Sequence, residues 1–419
     1  MEERRVCIPL ASKRSLLEAG PVLDEVVSSY KKWLGGRVDE FQGIVSDYEE
    51  VDRLEQGMAG VAILVLCGGT VQLVKSIAER GKPVLVLAHE GMNSLPAALE
   101  ALPSISEDNP PQLVFGMEEA GRRRVEDFFR GARALNSLRG QKILLVNGPD
   151  PGLPYSIADE RSLQKKLGIL IANTSMSEFG TRHDAIDRSS AVEESKRMEA
   201  RASIDTKLEK ESFERSARIY LTLKHLVDDS RASASSLNCF PLLDSYNVSG
   251  CYALSALNDE GIVSGCEGDV PTTVAMMVLK ELSGQPAFMG NPTYVDEHRV
   301  VIAHCTIATK LTTSFGYTTH FESGKGIAIA GELKEGERVT LLRFSRAFDV
   351  LRAGEGTIRK GKAWSMELCR TQVEIETDGD ARCIMERPLG CHYALTYGQH
   401  LGSLEQLARI SGLRFEKML

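Results

Sequence analysis

Short, continuously apolar runs followed by helical patterns dominate the first 290 residues of the chain. Such runs occur in RVCIPLA, AILVLCGGT and KPVLVLAHE, and again in QKILLVNGPD, LGILIANT and SGCEGD. Strands that are apolar on both faces and separated by helices are typical of a parallel sheet covered on both sides. The pattern therefore predicts an α/β fold with two Rossmann-like parallel-sheet layers, one over residues 1–140 and one over residues 141–288.

The pattern of apolar and polar residues changes at GQPAFMGNP, near residues 285–292. Beyond it, segments such as RVVIAHCTIATKL, ERVTLLRF and RTQVEIET alternate apolar and polar residues between glycine-containing turns. Period-two alternation with turns at this spacing indicates antiparallel strands, as in a barrel or a sandwich. We expect a smaller antiparallel β-barrel domain over residues 289–419. The charged stretch 189–215 has apolar positions at helical spacing and predicts a solvated helical hairpin.

Composition narrows the classes of partner. The net charge of −8 over 419 residues leaves no basic footprint for nucleic acid or an anionic membrane. The longest apolar run, residues 61–67, is far shorter than the roughly 20 residues of a membrane-spanning helix. The nine cysteines form no CxxC pair, which argues against a disulfide framework and for a reducing compartment. We expect a soluble cytoplasmic protein that binds a small molecule, with no nucleic acid or membrane partner.

Two carboxylates in the segment SGCEGDVPTT are the strongest candidates for chemistry. Glu267 and Asp269 follow a short apolar run and precede a helical pattern, so they belong at the carboxyl end of a parallel strand, where ligands gather. In extended chain their Cα atoms lie roughly 6.5 Å apart. They could share one cation or divide metal binding and base catalysis. Alternatively, Asp269 caps the helix and Glu267 forms a surface ion pair.

Histidines supply the next candidates, although none lies in a local metal-binding motif. His392 opens the alternating segment HYALTY, and a straight strand would place His400 about 26 Å away, too far to share a metal. His304 and His320 lie in strand-like segments without HExxH or paired-cysteine spacing. Each is a strand residue unless the fold brings it to the acids.

The segment CGGT at residues 67–70 lies between an apolar strand and a helix. Its backbone amides could cradle an anion or a sugar hydroxyl, although a tight turn explains the glycines equally well. The segment lacks the glycine patterns of nucleotide-binding loops. The chain also has no GxSxG elbow, so a hydrolase is not indicated.

An ordered series of segments resembles the L-fucose/L-arabinose isomerase superfamily over most of the chain. The series is VLCGGT, HEGMNSLPAALE, LNCFPLL, GCEGD, HCT, HFESGKGIAIAG, CRTQVE and GCHYALTYGQHLGSLEQLARISG. The resemblance implies a ketol isomerase with Mn²⁺ or another divalent metal. It also implies a homo-oligomer, a trimer or a hexamer, whose site a neighbouring subunit completes. Such an enzyme moves a proton between C1 and C2 of a sugar through an enediol, with a base and a Lewis acid.

The resemblance also implies roles for individual residues. Asp269 and His392 match metal ligands, Glu267 lies beside them, and His304 falls where the arabinose isomerases place a further ligand. Glu267, Asp269 and Asp244 are the catalytic candidates, with Glu267 or Asp244 as the base. The candidate substrate-binding residues, which all lie in the landmark segments, are Gly68, Gly69, Thr70, Asn93, His320 and Arg370.

The chain departs from this superfamily at two places. The stretch SYNVSGCYALSAL has no acid where the fucose isomerases carry a second one, and Cys251 or Tyr252 falls near that position. Cys391 precedes His392 where asparagine is more usual. These departures leave two alternatives: the same fold and metal used for another enediolate reaction, such as carbon–carbon cleavage, or a non-catalytic sugar-binding or regulatory protein.

Overall fold

The computed structural model describes residues 4–54, 57–106, 111–201 and 208–418. Internal contacts divide the chain into two compact units. The first comprises residues 1–136 and 402–412, and the second comprises residues 137–401 and 413–419. The predicted boundary at residue 288 lies inside the second unit, and the division into three domains stays a prediction. Residues 202–207 of the predicted helical hairpin lie outside the described ranges.

The first unit is built on a parallel sheet. Among its described strands the order is β2-β1-β3-β4-β5. Alternate residues of β1 enter two separate apolar cores, with Val6 and Ile8 on one face and Cys7 on the other, as a strand covered on both sides requires. The elements are β1 Arg4–Leu10, α1 Lys13–Leu34, β2 Glu40–Phe41, α2 Tyr48–Asp52, β3 Met58–Val65, α3 Val71–Ala78, β4 Val84–Ala88, α4 Ser94–Ile105, β5 Gln112–Phe115 and α5 Glu119–Leu138.

The second unit begins with another parallel sheet, in which the described strands have the order β7-β6-β8-β9. The strand predicted at SGCEGD is confirmed as β9, and the helix predicted after it as α12. The elements are β6 Lys142–Val146, α6 Glu160–Leu167, β7 Leu170–Thr174, α7 Met176–Asp184, α8 Arg188–Arg201, α9 Lys210–Ser230, β8 Ala234–Leu237, α10 Phe240–Ser245, α11 Cys251–Asp259, β9 Val263–Cys266 and α12 Val270–Ser283.

The predicted antiparallel barrel is confirmed in the same unit. Of the strands that the structure describes there, six close a ring in the order β14-β17-β10-β11-β16-β15, because β15 pairs again with β14. β18 adds to β15 in parallel, and β12 pairs with β13. The elements of this part of the second unit are β10 Phe288–Val295, β11 Arg299–His304, β12 Ser314–Thr318, β13 Ala328–Glu332, β14 Arg338–Phe344, β15 Val350–Lys360, β16 Thr371–Thr377, α13 Cys383–Glu386, β17 Tyr393–Tyr397 and β18 Arg414–Lys417. The helix between the last two strands, α14 Leu401–Ser411, belongs to the first unit from residue 402 onward.

No helix in the described part of the chain combines the length and the apolar character needed to cross a membrane.

A tight turn joins β9 to α12 and carries both predicted acids. Glu267 and Gly268 have φ values of 60° and 65°, in the left-handed region that favours glycine. A Cβ atom on Gly268 would lie 2.9 Å from the backbone oxygen of Gly148, in the loop after β6. The glycine therefore allows the β6 loop to lie directly against the turn.

We predict that Gly268→Ala lowers the free energy of unfolding by about 2–4 kcal/mol, because left-handed strain adds to the clash with the β6 loop. Gly284 is a matched control, since its φ is 68° but a Cβ atom there would meet nothing within 4 Å. Gly284→Ala should cost only about 1 kcal/mol. Urea denaturation measures the free energy of unfolding of both variants. Equal decreases for Gly268→Ala and Gly284→Ala would contradict a destabilising clash with the β6 loop.

Candidate active site

The second unit brings together four residues that lie far apart in the sequence. Glu267 and Asp269 follow β9 of the parallel sheet, His304 ends β11 of the barrel, and His392 immediately precedes β17. Nε2 of His304 lies 3.3 Å from Oε1 of Glu267, and Nε2 of His392 lies 3.5 Å from Oε2. Nδ1 of His392 lies 2.9 Å from Oδ2 of Asp269. The cluster therefore draws its acids from one sheet and its imidazoles from the other.

The outer nitrogens of both imidazoles are engaged by protein groups. Nδ1 of His304 lies 3.1 Å from Oγ1 of Thr306, and Asp269 contacts Nδ1 of His392. These contacts orient both Nε2 atoms toward the Glu267 carboxylate. Within the described ranges, Nε2 of His392 is buried and makes no hydrogen bond. A buried polar atom of this kind indicates a site that an additional group completes.

Asp269 is held by several donors at once. Its Oδ2 accepts from Nη1 of Arg343 at 2.6 Å and from the Ser156 hydroxyl at 3.0 Å, and its Oδ1 accepts from the backbone N–H of Thr272 at 2.8 Å. The alternative that Asp269 caps α12 is therefore confirmed. Asp269 also forms an ion pair with Arg343 in which both side chains are fully buried.

Arg343 is a residue that the sequence analysis missed. Its Nη2 donates to the backbone oxygens of Tyr155 at 2.9 Å and Leu389 at 3.3 Å, so it ties β14 to two loops around the cluster. The alternation in ERVTLLRF could have indicated it, because Arg343 falls on the same strand face as the apolar residues Val339 and Leu341. A charged residue on an apolar strand face needs a buried partner.

The charges of the cluster support one another. Burial opposes ionisation of Glu267, but its contacts with His304 and His392 outweigh burial and hold the pKa of Glu267 below its usual range. Burial likewise opposes ionisation of Asp269, but the Arg343 guanidinium and His392 hold the pKa of Asp269 low. Burial favours neutral His392, yet Asp269, Cys391 and Glu267 raise its pKa well above the usual value. The two carboxylates and His392 therefore stabilise one another's charged forms.

Glu267 is the member of the cluster that a ligand can reach. Its side chain is 19% exposed, whereas His304 is 4% exposed and Asp269 and His392 are fully buried. The surface ion pair expected for Glu267 in the alternative interpretation is instead a largely buried contact with two imidazoles. A cavity of about 380 Å³ is lined in part by Ser156, which donates to Asp269, and by Cys391, which contacts His392. Its volume lies in the range of small-molecule sites.

The donor set fits a divalent metal. Ligand atoms of Cys266, Glu267 and His304 lie within 4.8 Å of one another, as do those of Asp269, Cys391 and His392. One carboxylate facing two imidazole Nε2 atoms is a donor set that first-row divalent metals accept. The contact from Asp269 to Nδ1 of His392 is the second-layer interaction that commonly orients a metal-bound histidine. The metal itself stays a prediction.

The remaining candidates of the second unit lie in two other places. Asp244 is exposed at the end of α10, and its role as a base stays a prediction. His320 lies in the segment after β12, where its Nδ1 is 3.0 Å from Ser323 Oγ. Arg370 immediately precedes β16 and reaches the same segment by donating from Nε to the Thr319 oxygen at 3.0 Å.

The predicted substrate-binding residues of the first unit meet at the carboxyl ends of β3 and β4. Gly68 donates its backbone N–H to the Met92 oxygen at 2.8 Å, and the buried Thr70 hydroxyl donates to the Cys67 oxygen at 3.0 Å. Asn93 begins α4 in the left-handed conformation, with its Cβ 3.4 Å from the place that a Cβ on Gly68 would take. The fold thus assembles these residues, and their role stays a prediction.

The position expected for a second acid carries no carboxylate. Cys251 is buried and packs with Cys305, next to His304 in the chain. Tyr252 points its hydroxyl to Glu194, at 2.7 Å. Neither Cys251 nor Tyr252 therefore replaces, in the cluster, the second acid that the fucose isomerases carry near this position.

We predict that Arg343→Met lowers the free energy of unfolding by about 3–5 kcal/mol, because it leaves the Asp269 carboxylate buried without its cation. Arg359→Met is the control, since Arg359 forms an exposed ion pair with Glu376 on a neighbouring barrel strand. It should cost less than about 1 kcal/mol. Guanidinium denaturation distinguishes the two, and a small loss for Arg343→Met would show that the buried pair is not needed for stability.

Comparison with known proteins supports an isomerase. No protein-family model matches the chain. The sulfoquinovose isomerase of Priestia aryabhattai is 28% identical over 323 residues, which cover 73% of this chain and 71% of that protein. The sulfoquinovose isomerase of Clostridium sp. (strain MSTE9) is 25% identical over 362 residues, covering 80% and 78%. That of Alkalicoccus urumqiensis is 23% identical over 329 residues, covering 74% and 72%. These similarities bear out the prediction of an enzyme that interconverts aldose and ketose sugars.

Proposed function

We propose that the chain is a metal-dependent aldose–ketose isomerase that transfers a proton between C1 and C2 of a sugar through an enediol. The observation that carries the proposal is the Glu267 carboxylate, which is partly exposed and faced by the Nε2 atoms of His304 and His392. The similarity to sulfoquinovose isomerases supports the same reaction class.

Glu267 is the proposed base. It is ionised, and its partial exposure lets a substrate carbon approach it, whereas Asp269 is enclosed by donors. Glu267 would take the proton from C2 of the aldose and return it to C1, while the hydroxyl proton moves between the two oxygens. Asp269 has a positioning role in this scheme, because it fixes the ring of His392 through Nδ1.

Mn²⁺ or another divalent metal would be held by Glu267, His304 and His392. Asp269 was predicted from the sequence as a ligand, but its Oδ2 already accepts from Arg343, Ser156 and His392, so we assign it to the second layer. When bound, such a metal polarises the two adjacent oxygens of the sugar and stabilises the charge that develops on them. We also propose that the protein forms a homo-oligomer, either a trimer or a hexamer.

The substrate that we propose is an aldose with an anionic substituent away from its carbonyl carbon. Arg370 immediately precedes Thr371, which pairs with His304 between the adjacent strands β16 and β11, so the backbone of Arg370 lies close to the cluster. Its guanidinium contacts the Thr319 carbonyl and lies 5.5 Å from the Phe321 ring centre, and neither contact neutralises its charge. Arg370, with His320 beside it, would bind a sulfonate group. Sulfoquinovose is therefore the first substrate to assay.

We predict that Glu267→Gln lowers the turnover of sulfoquinovose by about 10²–10⁴-fold, the usual contribution of a general base. Asp244→Asn should keep activity close to that of the unmodified protein, since Asp244 is exposed on α10. Conversion of the aldose to the ketose is followed by chromatography, which also detects carbon–carbon cleavage fragments. Full turnover by Glu267→Gln would remove Glu267 from the role of base, and loss of turnover in Asp244→Asn alone would assign that role to Asp244.

The metal is tested by elemental analysis of protein treated with chelator and reloaded with Mn²⁺. We expect His304→Ala and His392→Ala to lose the metal, and Asp269→Asn to weaken its affinity by about 10–100-fold, as loss of a second-layer partner does. His400→Ala is the control, because His400 is also buried but contacts the Tyr397 oxygen instead of the cluster. Absence of bound metal in the unmodified protein would contradict the metal assignment.

A further inference from the structure

Three polar residues follow three neighbouring strands of the second parallel sheet. β6, β8 and β9 pair in parallel and end in register. The next residue after each strand is Asn147, Asn238 and Glu267, respectively. Because neighbouring strands lie about 4.8 Å apart, the row extends from the proposed base over roughly the length of a sugar. The two asparagines were not singled out by the sequence analysis.

Among the residues that the structure describes, no donor reaches the enclosed amide oxygens of the two asparagines. Asn238 is 5% exposed. In the described part of the chain, Oδ1 of Asn238 and Oδ1 of Asn147 are buried without a hydrogen-bond partner. A buried acceptor without a donor destabilises a fold, so such groups call for a functional explanation. Two of them in register beside a catalytic candidate indicate that a ligand supplies the donors.

The orientation of the Asn147 amide is determined by its neighbour. Its Nδ2 donates to the backbone oxygen of Asn238 at 3.1 Å, and the opposite orientation would bring two oxygens together. Oδ1 of Asn147 therefore points away from that carbonyl. The residue also has a φ of 66°, in the left-handed region that asparagine adopts more readily than most other residues.

We propose that Asn238 and Asn147 form a neutral acceptor subsite that binds hydroxyl groups of the sugar next to its reacting carbons. The identification of the ligand as a sugar rests on the proposed function. Amide oxygens accept hydrogen bonds from hydroxyl groups, whereas an anionic group has no hydrogen to donate and would be repelled by them. The subsite therefore selects hydroxyl groups and leaves an anionic substituent to a cationic group elsewhere, such as Arg370.

Binding of non-reacting polyols tests the subsite without turnover. D-glucitol, galactitol and L-arabinitol are titrated calorimetrically into the Mn²⁺-treated full chain and into its Asn238→Ala and Asn147→Ala variants. Asn173→Ala is the matched control, because Asn173 is an exposed amide on the adjacent strand β7. We expect at least one polyol to bind, with affinity lowered about tenfold or more by Asn238→Ala and unchanged by Asn173→Ala.

Stability distinguishes a ligand-binding role from a structural one. Because Oδ1 of Asn238 has no donor in the described chain, Asn238→Ala should leave the urea midpoint equal to or above that of the unmodified protein. A lower urea midpoint for Asn238→Ala would overturn the proposal. So would equal polyol affinities in Asn238→Ala and the unmodified protein, or failure of all three polyols to bind.

Kinetics with the 3-deoxy and 4-deoxy forms of the substrate supply a second test. In the unmodified protein, removing the hydroxyl that faces Asn238 should lower kcat/KM by about 10²-fold or more. In Asn238→Ala the parent and that deoxy sugar should react equally well, and retained discrimination would contradict the subsite. If no aldose is isomerised, the proposed function is wrong. The polyol titration still tests the subsite in that case, because it does not depend on turnover.

Discussion

The buried ion pair between Asp269 and Arg343 is the interaction on which the arrangement of the cluster depends. Asp269 comes from the turn after a parallel strand, and Arg343 comes from a barrel strand. Both side chains are fully buried, so each charge requires the other. The same carboxylate caps α12 and contacts His392, and the same guanidinium binds the backbone oxygens of Tyr155 and Leu389. One pair thus joins the elements that position the catalytic candidates.

The two carboxylates of the GCEGD segment have different environments although one residue separates them. The left-handed turn at Glu267 and Gly268 directs Asp269 into a closed set of donors and leaves Glu267 partly exposed. A carboxylate that accepts several hydrogen bonds is suited to holding neighbouring groups, whereas a reachable one is suited to proton transfer. The proposed division into a positioning acid and a base follows from this difference in access.

Three buried polar atoms without hydrogen-bond partners among the described residues lie near the carboxyl edge of the second parallel sheet. Nε2 of His392 and the Oδ1 atoms of Asn147 and Asn238 are buried without hydrogen bonds in the described ranges. Buried polar groups without partners lower the stability of a folded protein. Proteins retain them chiefly where the groups bind a ligand. The proposed metal and the proposed sugar hydroxyl groups would together provide partners for all of them.

Local pattern in the sequence was sufficient for the α/β layers, the antiparallel barrel, and the strand, turn and helix around Glu267 and Asp269. Apolar runs, period-two alternation and capping residues act over a few neighbouring positions, so a single sequence shows them. The position of Asp269 as a helix cap was likewise open to prediction, because the cap and the N–H group that it accepts from lie three residues apart.

Tertiary structure decided which of the candidate side chains meet. His304 ends one barrel strand and His392 immediately precedes another, and only the closure of the barrel against the end of β9 brings both to Glu267. Arg343, Asn147 and Asn238 carry no motif, and their roles arise from burial and from strand register, which depend on contacts between distant segments. The sequence by itself thus determined the elements and the acids at their ends. The fold decided their partners, because hydrogen bonding and exclusion of water act between atoms that are close in space, whatever their separation along the chain.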